Sequence, residues 1–98
     1  MKFGYFANVT NRRNRPFGDL MKEQVALAQY CDASGWDSIW YTEHHFSYEG
    51  FEVVPNPVLM STWTAAHTGR IRIGQAANII TFWHPLRFAE DIAMLDHM

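Results

Sequence analysis

A strand-like apolar run followed by an amphipathic helical stretch occurs three times in this chain, with the runs beginning near residues 2, 37 and 71. No other feature narrows the fold as much. Strands separated by helix-length connections pair in parallel, and right-handed helical crossovers are the economical way to join them. The first unit sets "KFGYFANV" (Lys2 to Val9), read as a buried strand, before a polar loop and a helix over Leu20 to Ser34, with Asp19 as its expected N-cap. Leu20, Met21, Val25, Leu27, Ala28 and Cys31 share one arc of that helix, opposite Lys22, Glu23 and Gln29, and Gly35 stands where a C′ residue belongs. The second strand is "DSIWYT"; Asn56 is then expected to cap a helix that has Pro57 at its first position and Gly69 at its close. "RIRIGQAAN" is the third strand, and a third helix begins near Pro85 with Leu86, Ala89, Ile92, Ala93 and Leu95 at helical spacing.

Three βα units leave two open sheet edges and one uncovered face. The last stretch, "AEDIAMLDHM", carries no glycine cap, following proline or polar tail. The chain therefore reads as the N-terminal three βα units of a larger α/β protein, an incomplete (β/α)8 barrel whose full length would be roughly 250 residues or more.

Composition excludes several classes of function. At 48% hydrophobic residues and a net charge of −2, the chain has globular composition and no basic stripe for nucleic acid or anionic membrane. "RNR" beside Arg12 reads as a solvated loop. Cys31 is the only cysteine, so there is neither an internal disulfide nor a CxxC pattern. "MKFGYFANV" has no apolar core with a cleavage site, and no run is long enough to span a membrane. A cytoplasmic protein is the expectation.

In a barrel of this kind functional groups gather at the C-terminal strand ends. Here those ends are Asn8, Glu43-His44-His45, and Gln75 to Asn78. Adjacent residues on an extended backbone face opposite ways, so His44 and His45 should do separate jobs and not share a metal. Two readings stand for His44: a hydrogen-bonded structural histidine, or a proton carrier at the barrel mouth, for which an imidazole suits neutral pH. No HExxH or third spaced ligand supports a metal. In "GQAAN", Gly74 marks either close approach of a ligand or tight packing against Trp40 or Trp83, and Gly4 poses the same question. Cys31 is expected in the core, His67 at a helix end and His84 as an N-cap.

"MKFGYF", "GWDSIWYTEHHF", "PNPVLMSTWTAAHTGRIRIGQAAN" and "HPLRFAEDIAMLDHM", in that order, resemble the N-terminal part of the bacterial luciferase-like flavin monooxygenases. The resemblance implies one partial luciferase-like (β/α)8 barrel domain over residues 1–98, truncated at the third helix. It further implies oxidation of a small organic substrate with dioxygen and reduced FMN, the reduced flavin being supplied by a flavin reductase. His44 matches the family's active-site histidine beside the flavin. Gln75, Ala76 and Ala77 match its cofactor-binding stretch, with Ala76 and Ala77 joined by a non-prolyl cis peptide beneath the ring. His45 and Glu90 match residues that meet across a homodimer interface. The family's phosphate site lies on later strands, and the reactive cysteine of luciferase has no counterpart here, so the 98-residue piece alone is not expected to turn over. Two other readings are a deazaflavin-dependent oxidoreductase on the same barrel and a truncated, non-catalytic dimerisation module.

Overall fold

A computed structural model describes residues 1–98. Strand β1 spans Gly4–Ala7, helix α1 Phe17–Ala33, β2 Ser38–Tyr41, α2 Pro57–Ala65, β3 Arg72–Gln75 and α3 Pro85–Asp96, with a 3-10 turn at Ile80–Phe82 before α3. The strands form one parallel sheet in the order β1-β2-β3. Three successive βα units wound in sequence order are part of the (β/α)8 barrel plan. No helix is long and apolar enough to cross a membrane.

The register places Tyr5, Ile39 and Ile73 in one row and Ala7, Tyr41 and Gln75 in the next. Side chains alternate along a strand, so these two rows face the helices. Ala7, Ile39 and Tyr41 are fully buried there with Val25, Ala28 and Cys31 of α1. The Tyr41 hydroxyl and Thr64 Oγ1 of α2 share a buried hydrogen bond of 2.8 Å. Burial pushes the Tyr41 phenol up to about 12, against the opposing effect of that bond.

The opposite face answers the question of the glycines. Trp40 sits between Phe6 and Gly74 in the register, and its indole donates to Ser38 Oγ at 2.9 Å. A Cβ on Gly74 would collide with the Trp40 ring, and one on Gly4 would lie 2.6 Å from Ser38 Oγ and 3.2 Å from Trp40 Nε1. Gly74 makes room for the Trp40 ring, and Gly4 for the Ser38 hydroxyl and the indole nitrogen bonded to it, so Trp40, and not Trp83, is the large neighbour.

Several boundaries differ from expectation. Asp19 is not the N-cap: α1 begins at Phe17 behind Pro16, whose φ of −53° already suits a helix start, and Asp19 becomes an acidic residue of the first turn. Gly69 does not close α2, which ends at Ala65 with Ala66 as its C-cap. The carbonyls of Trp63 and Thr64 are taken by His67 Nδ1 and Thr68 Oγ1, while the Gly69 N–H is drawn to Asp32 Oδ2 at 2.8 Å. The strands are shorter than their apolar runs. β1 is not buried on both faces, because Phe6 lies on the Trp40 side and is 54% exposed. Asn56 does cap α2, its side chain accepting from Leu59 N at 2.8 Å, with Pro57 at the first position. Gly35 follows α1 with a φ of +83°, which a glycine adopts without penalty. Cys31 lies in the core, His67 at the end of α2, and His84 at the N-cap position of α3, although its side chain makes no capping bond.

Gly74→Ala should destabilise the protein by about 1–3 kcal/mol through overpacking against the indole. Trp40→Leu in the same chain should recover part of that loss in urea unfolding. Strictly additive effects of the two changes would show that Trp40 is not the obstacle.

Candidate active site

The C-terminal ends of β2 and β3 are held in one frame. Ala76 N donates to the Tyr41 carbonyl at 2.8 Å, extending the β2–β3 ladder by one bond. Continuing the alternation of β2 past Tyr41 places Glu43 and His45 in line with Ile39 and Tyr41, towards the helices. Thr42 and His44 fall in line with Trp40, on the other face. The contacts follow that division.

Glu43 is a carboxylate with a side chain only 1% exposed. It accepts from the Ile79 N–H at 2.7 Å, from the Trp83 indole at 3.0 Å and from His45 Nε2 at 2.8 Å. Burial opposes its ionisation. The imidazole, the backbone amide and the indole together outweigh burial and hold its pKa below the ordinary glutamate value. His45 is fixed by this bond and by an edge-on contact with Phe82, ring centroids 4.8 Å apart.

His44 has different surroundings. Its backbone N–H donates to the carbonyl of buried Val54 at 2.8 Å, and its Nε2 pairs with the Glu52 carboxylate. The side chain is 39% exposed, against 25% for His45. The loop that brings Glu52 back is clamped to the end of β1, because Asn11 N donates to Gly50 O and Val53 N to Val9 O at 2.6 and 2.9 Å. Gly50 is required there: its φ is +73° and a Cβ would run into the Asn11 carbonyl. Arg12 in turn lies 3.8 Å over the Phe51 ring. The two imidazoles thus have separate partners and separate environments, as strand geometry requires.

At the end of β3 the Ala76–Ala77 peptide is cis, the geometry implied by the family resemblance. Gln75 points to the helical layer, its amide donating to Ser61 Oγ of α2 at 2.7 Å. What this strand end offers a ligand is therefore backbone and two methyl groups, those of half-buried Ala76 and exposed Ala77. Glu90 lies on exposed surface of α3, 3.9 Å from Arg87. His45 and Glu90 do not touch within the chain.

Neither Glu43 nor Glu52 has a role that the sequence alone assigns. A signal for Glu43 was present, since a charged residue two positions after Tyr41 on a core-facing row must be buried and must find partners. Glu52 lies in a loop with no periodicity and left no comparable signal.

Three βα units with polar side chains gathered at the C-terminal strand ends follow the plan of a (β/α)8 barrel. The family model for luciferase-like monooxygenases matches residues 1–98, and the chain belongs to that family. It is 32% identical over 98 residues to the alkanal monooxygenase alpha chain of Photorhabdus laumondii subsp. laumondii, covering 100% of this chain and 27% of the relative. It is 36% identical over 77 residues to the oxygenase component of the flavin-dependent trigonelline monooxygenase of Acinetobacter baylyi, covering 79% of this chain and 21% of the relative. The oxygenating constituent of 3,6-diketocamphane monooxygenase from Pseudomonas putida, solved with FMN, superposes with a TM-score of 0.90 at 26% identity, over 99% of this chain and 26% of its own. The chain spans about a quarter of the length of these relatives.

Glu43→Ala would strand three donors, the Ile79 amide, the Trp83 indole and the His45 ring, and should cost about 3 kcal/mol in denaturant unfolding. Because the folded-state pKa of Glu43 is depressed, its contribution should be complete above the unfolded glutamate value of about 4.3. It should be lost as pH falls below that value and through the folded one. A Glu43→Ala protein with the parent's acid-unfolding curve would contradict this.

Proposed function

We infer that the protein carrying this chain is the oxygenase of a flavin-dependent monooxygenase that oxidises a small organic molecule with dioxygen. The observation that carries the reading is the meeting, at one sheet edge, of an accessible imidazole on β2's extension and a bare two-alanine backbone at the end of β3. These residues fit a flavin: with the Gln75 side chain turned to α2, the end of β3 presents a low surface on which a flat ring can lie. Bound reduced flavin would supply the electrons that activate dioxygen. His44 is then the group that takes or supplies a proton at a ring nitrogen, and Ala76 and Ala77, with the backbone of Gln75, support the ring. FMN is favoured over a deazaflavin by the FMN held in the diketocamphane enzyme. An oxygenase component, such as that of the trigonelline enzyme, works with a separate source of reduced flavin, so a flavin reductase is the proposed partner.

His44→Ala should lower turnover roughly 100-fold or more, the range for a general acid–base group, with flavin affinity little changed. Turnover within a few-fold of the parent would make His44 structural. The absorption spectrum of the copurifying cofactor separates FMN from deazaflavin.

A homodimer is proposed on α2 and α3. Leu59, Leu86 and Met94 are each about two-thirds exposed on these helices, apolar side chains of the kind a partner helix covers. His45 and Glu90 are proposed to meet across it. His45→Ala and Glu90→Ala should each raise the dimer dissociation constant, less than additively in the double variant. A dimer indifferent to both changes would remove them from the interface.

A further inference from the structure

We propose that Glu52 is a positioning residue for His44, fixing which of its ring nitrogens carries the proton and holding the ring in one orientation. The proposal rests on the reading of His44 as the proton carrier, and deepens it. The Glu52 carboxylate lies against Nε2 of His44, and because a carboxylate can only accept, that contact favours the neutral ring with its hydrogen on Nε2. That leaves the Nδ1 lone pair as the basic atom. The division of labour is the familiar one, in which an acceptor on one ring nitrogen fixes the role of the other.

The local backbone is arranged to deliver this carboxylate. Glu52 has a φ of +54°, in the left-handed region that non-glycine residues populate sparsely. Phe46 (φ +56°) and Gly50 (φ +73°) share that region, and these three residues fold the loop back on itself. On either side of Glu52 the loop is tied down, by Gly50 O to Asn11 and by Val53 N to Val9. His44 is itself held to Val54. Carboxylate and imidazole are thus presented to each other by two braced backbones. Residues in such sparsely populated conformations cluster at functional sites. Both side chains are partly exposed, at 39% for His44 and 27% for Glu52. A contact between two partly exposed side chains contributes little to stability, so folding alone gives no account of the arrangement.

The test uses Glu52→Ala and Glu52→Gln in the protein carrying this chain, with His44→Ala as reference. Nitrogen-15 NMR of labelled histidine, at a pH where the ring is neutral, reports the tautomer of His44 directly. The parent should show the Nε2–H form alone. Glu52→Ala should show a mixture of tautomers and a turnover lower by roughly tenfold or more, part of the range available to acid–base catalysis, with flavin affinity unchanged. Glu52→Gln, whose amide oxygen still accepts, should restore the Nε2–H form and most of the turnover. A parent-like tautomer in Glu52→Ala overturns the proposal, as does an Nδ1–H form in the parent. If His44→Ala is inactive while Glu52→Ala matches the parent, the role of Glu52 fails and that of His44 stands. If His44→Ala is fully active, the proposed function itself fails. Should Glu52→Ala not fold, Glu52→Gln with a parent-like tautomer and a turnover as low as that of His44→Ala also overturns the proposal.

Discussion

The buried carboxylate of Glu43 joins parts of the chain that lie far apart in sequence. An unpaired charge in this position would be strongly unfavourable, and three donors from residues 45, 79 and 83 are gathered around it. Because two of those donors follow β3, the carboxylate ties the end of β2 to the segment that leaves the neighbouring strand. Ala76 and Ala77 are caught between two fixed points, the Ala76 amide on the Tyr41 carbonyl and the Ile79 amide on Glu43. The end of β3 therefore has little freedom to drift, which is what a support for a flat ligand needs.

The two sheet faces are built by different means. The helical face closes by apolar burial, with Ala7, Ile39 and Tyr41 fully covered by α1 and α2. The other face is filled by one indole lying across two glycines. In a closed barrel that face is the interior, where side chains from alternate strands are layered. In register Trp40 lies between Phe6 and Gly74, the glycine leaving room for the large ring beside it. His44 stands on the same face, two steps of alternation beyond Trp40, so the residue that packs the interior and the residue at its mouth are set by the phase of one strand.

Much of this was legible in the sequence, and the misses have definite causes. The alternation of strand and helix, the Asn56-Pro57 start of α2, the turn at Gly35 and the apolar arc of α1 depend on neighbours within a few positions, and all appear as read. The end of α2 does not, because the Gly69 amide is claimed by Asp32, 37 residues earlier. Asp19 lies inside the helix and not at its cap because Pro16 starts the helix sooner than a side-chain cap would. At the site, the strand-end motif pointed to His44 and His45, while their partners were hidden. Glu43 meets Ile79 and Trp83 across 36 and 40 residues, and Glu52 reaches His44 only through a loop turned by three left-handed residues. Local patterns carry elements; long-range partners carry the chemistry.

The two histidines show how far one residue of phase can reach. His45 falls on the core side, where its partner is buried, its ring is packed on Phe82, and its imidazole is hydrogen-bonded to a carboxylate that would otherwise lack that partner. His44 falls on the open side, where a carboxylate of the same chemistry arrives on a solvent-facing loop. Each imidazole is anchored through Nε2 to a carboxylate, but the His45 ring is packed on Phe82 and 25% exposed while that of His44 is 39% exposed. The more open ring is the better placed to exchange a proton with a ligand. A one-residue slip of β2 would exchange these environments, sending His44 to the core side and His45 to the open side. The ladder bond from Ala76 to Tyr41 and the Glu43 contacts oppose that slip, so the interactions that stabilise the strand ends also decide which histidine is available for chemistry.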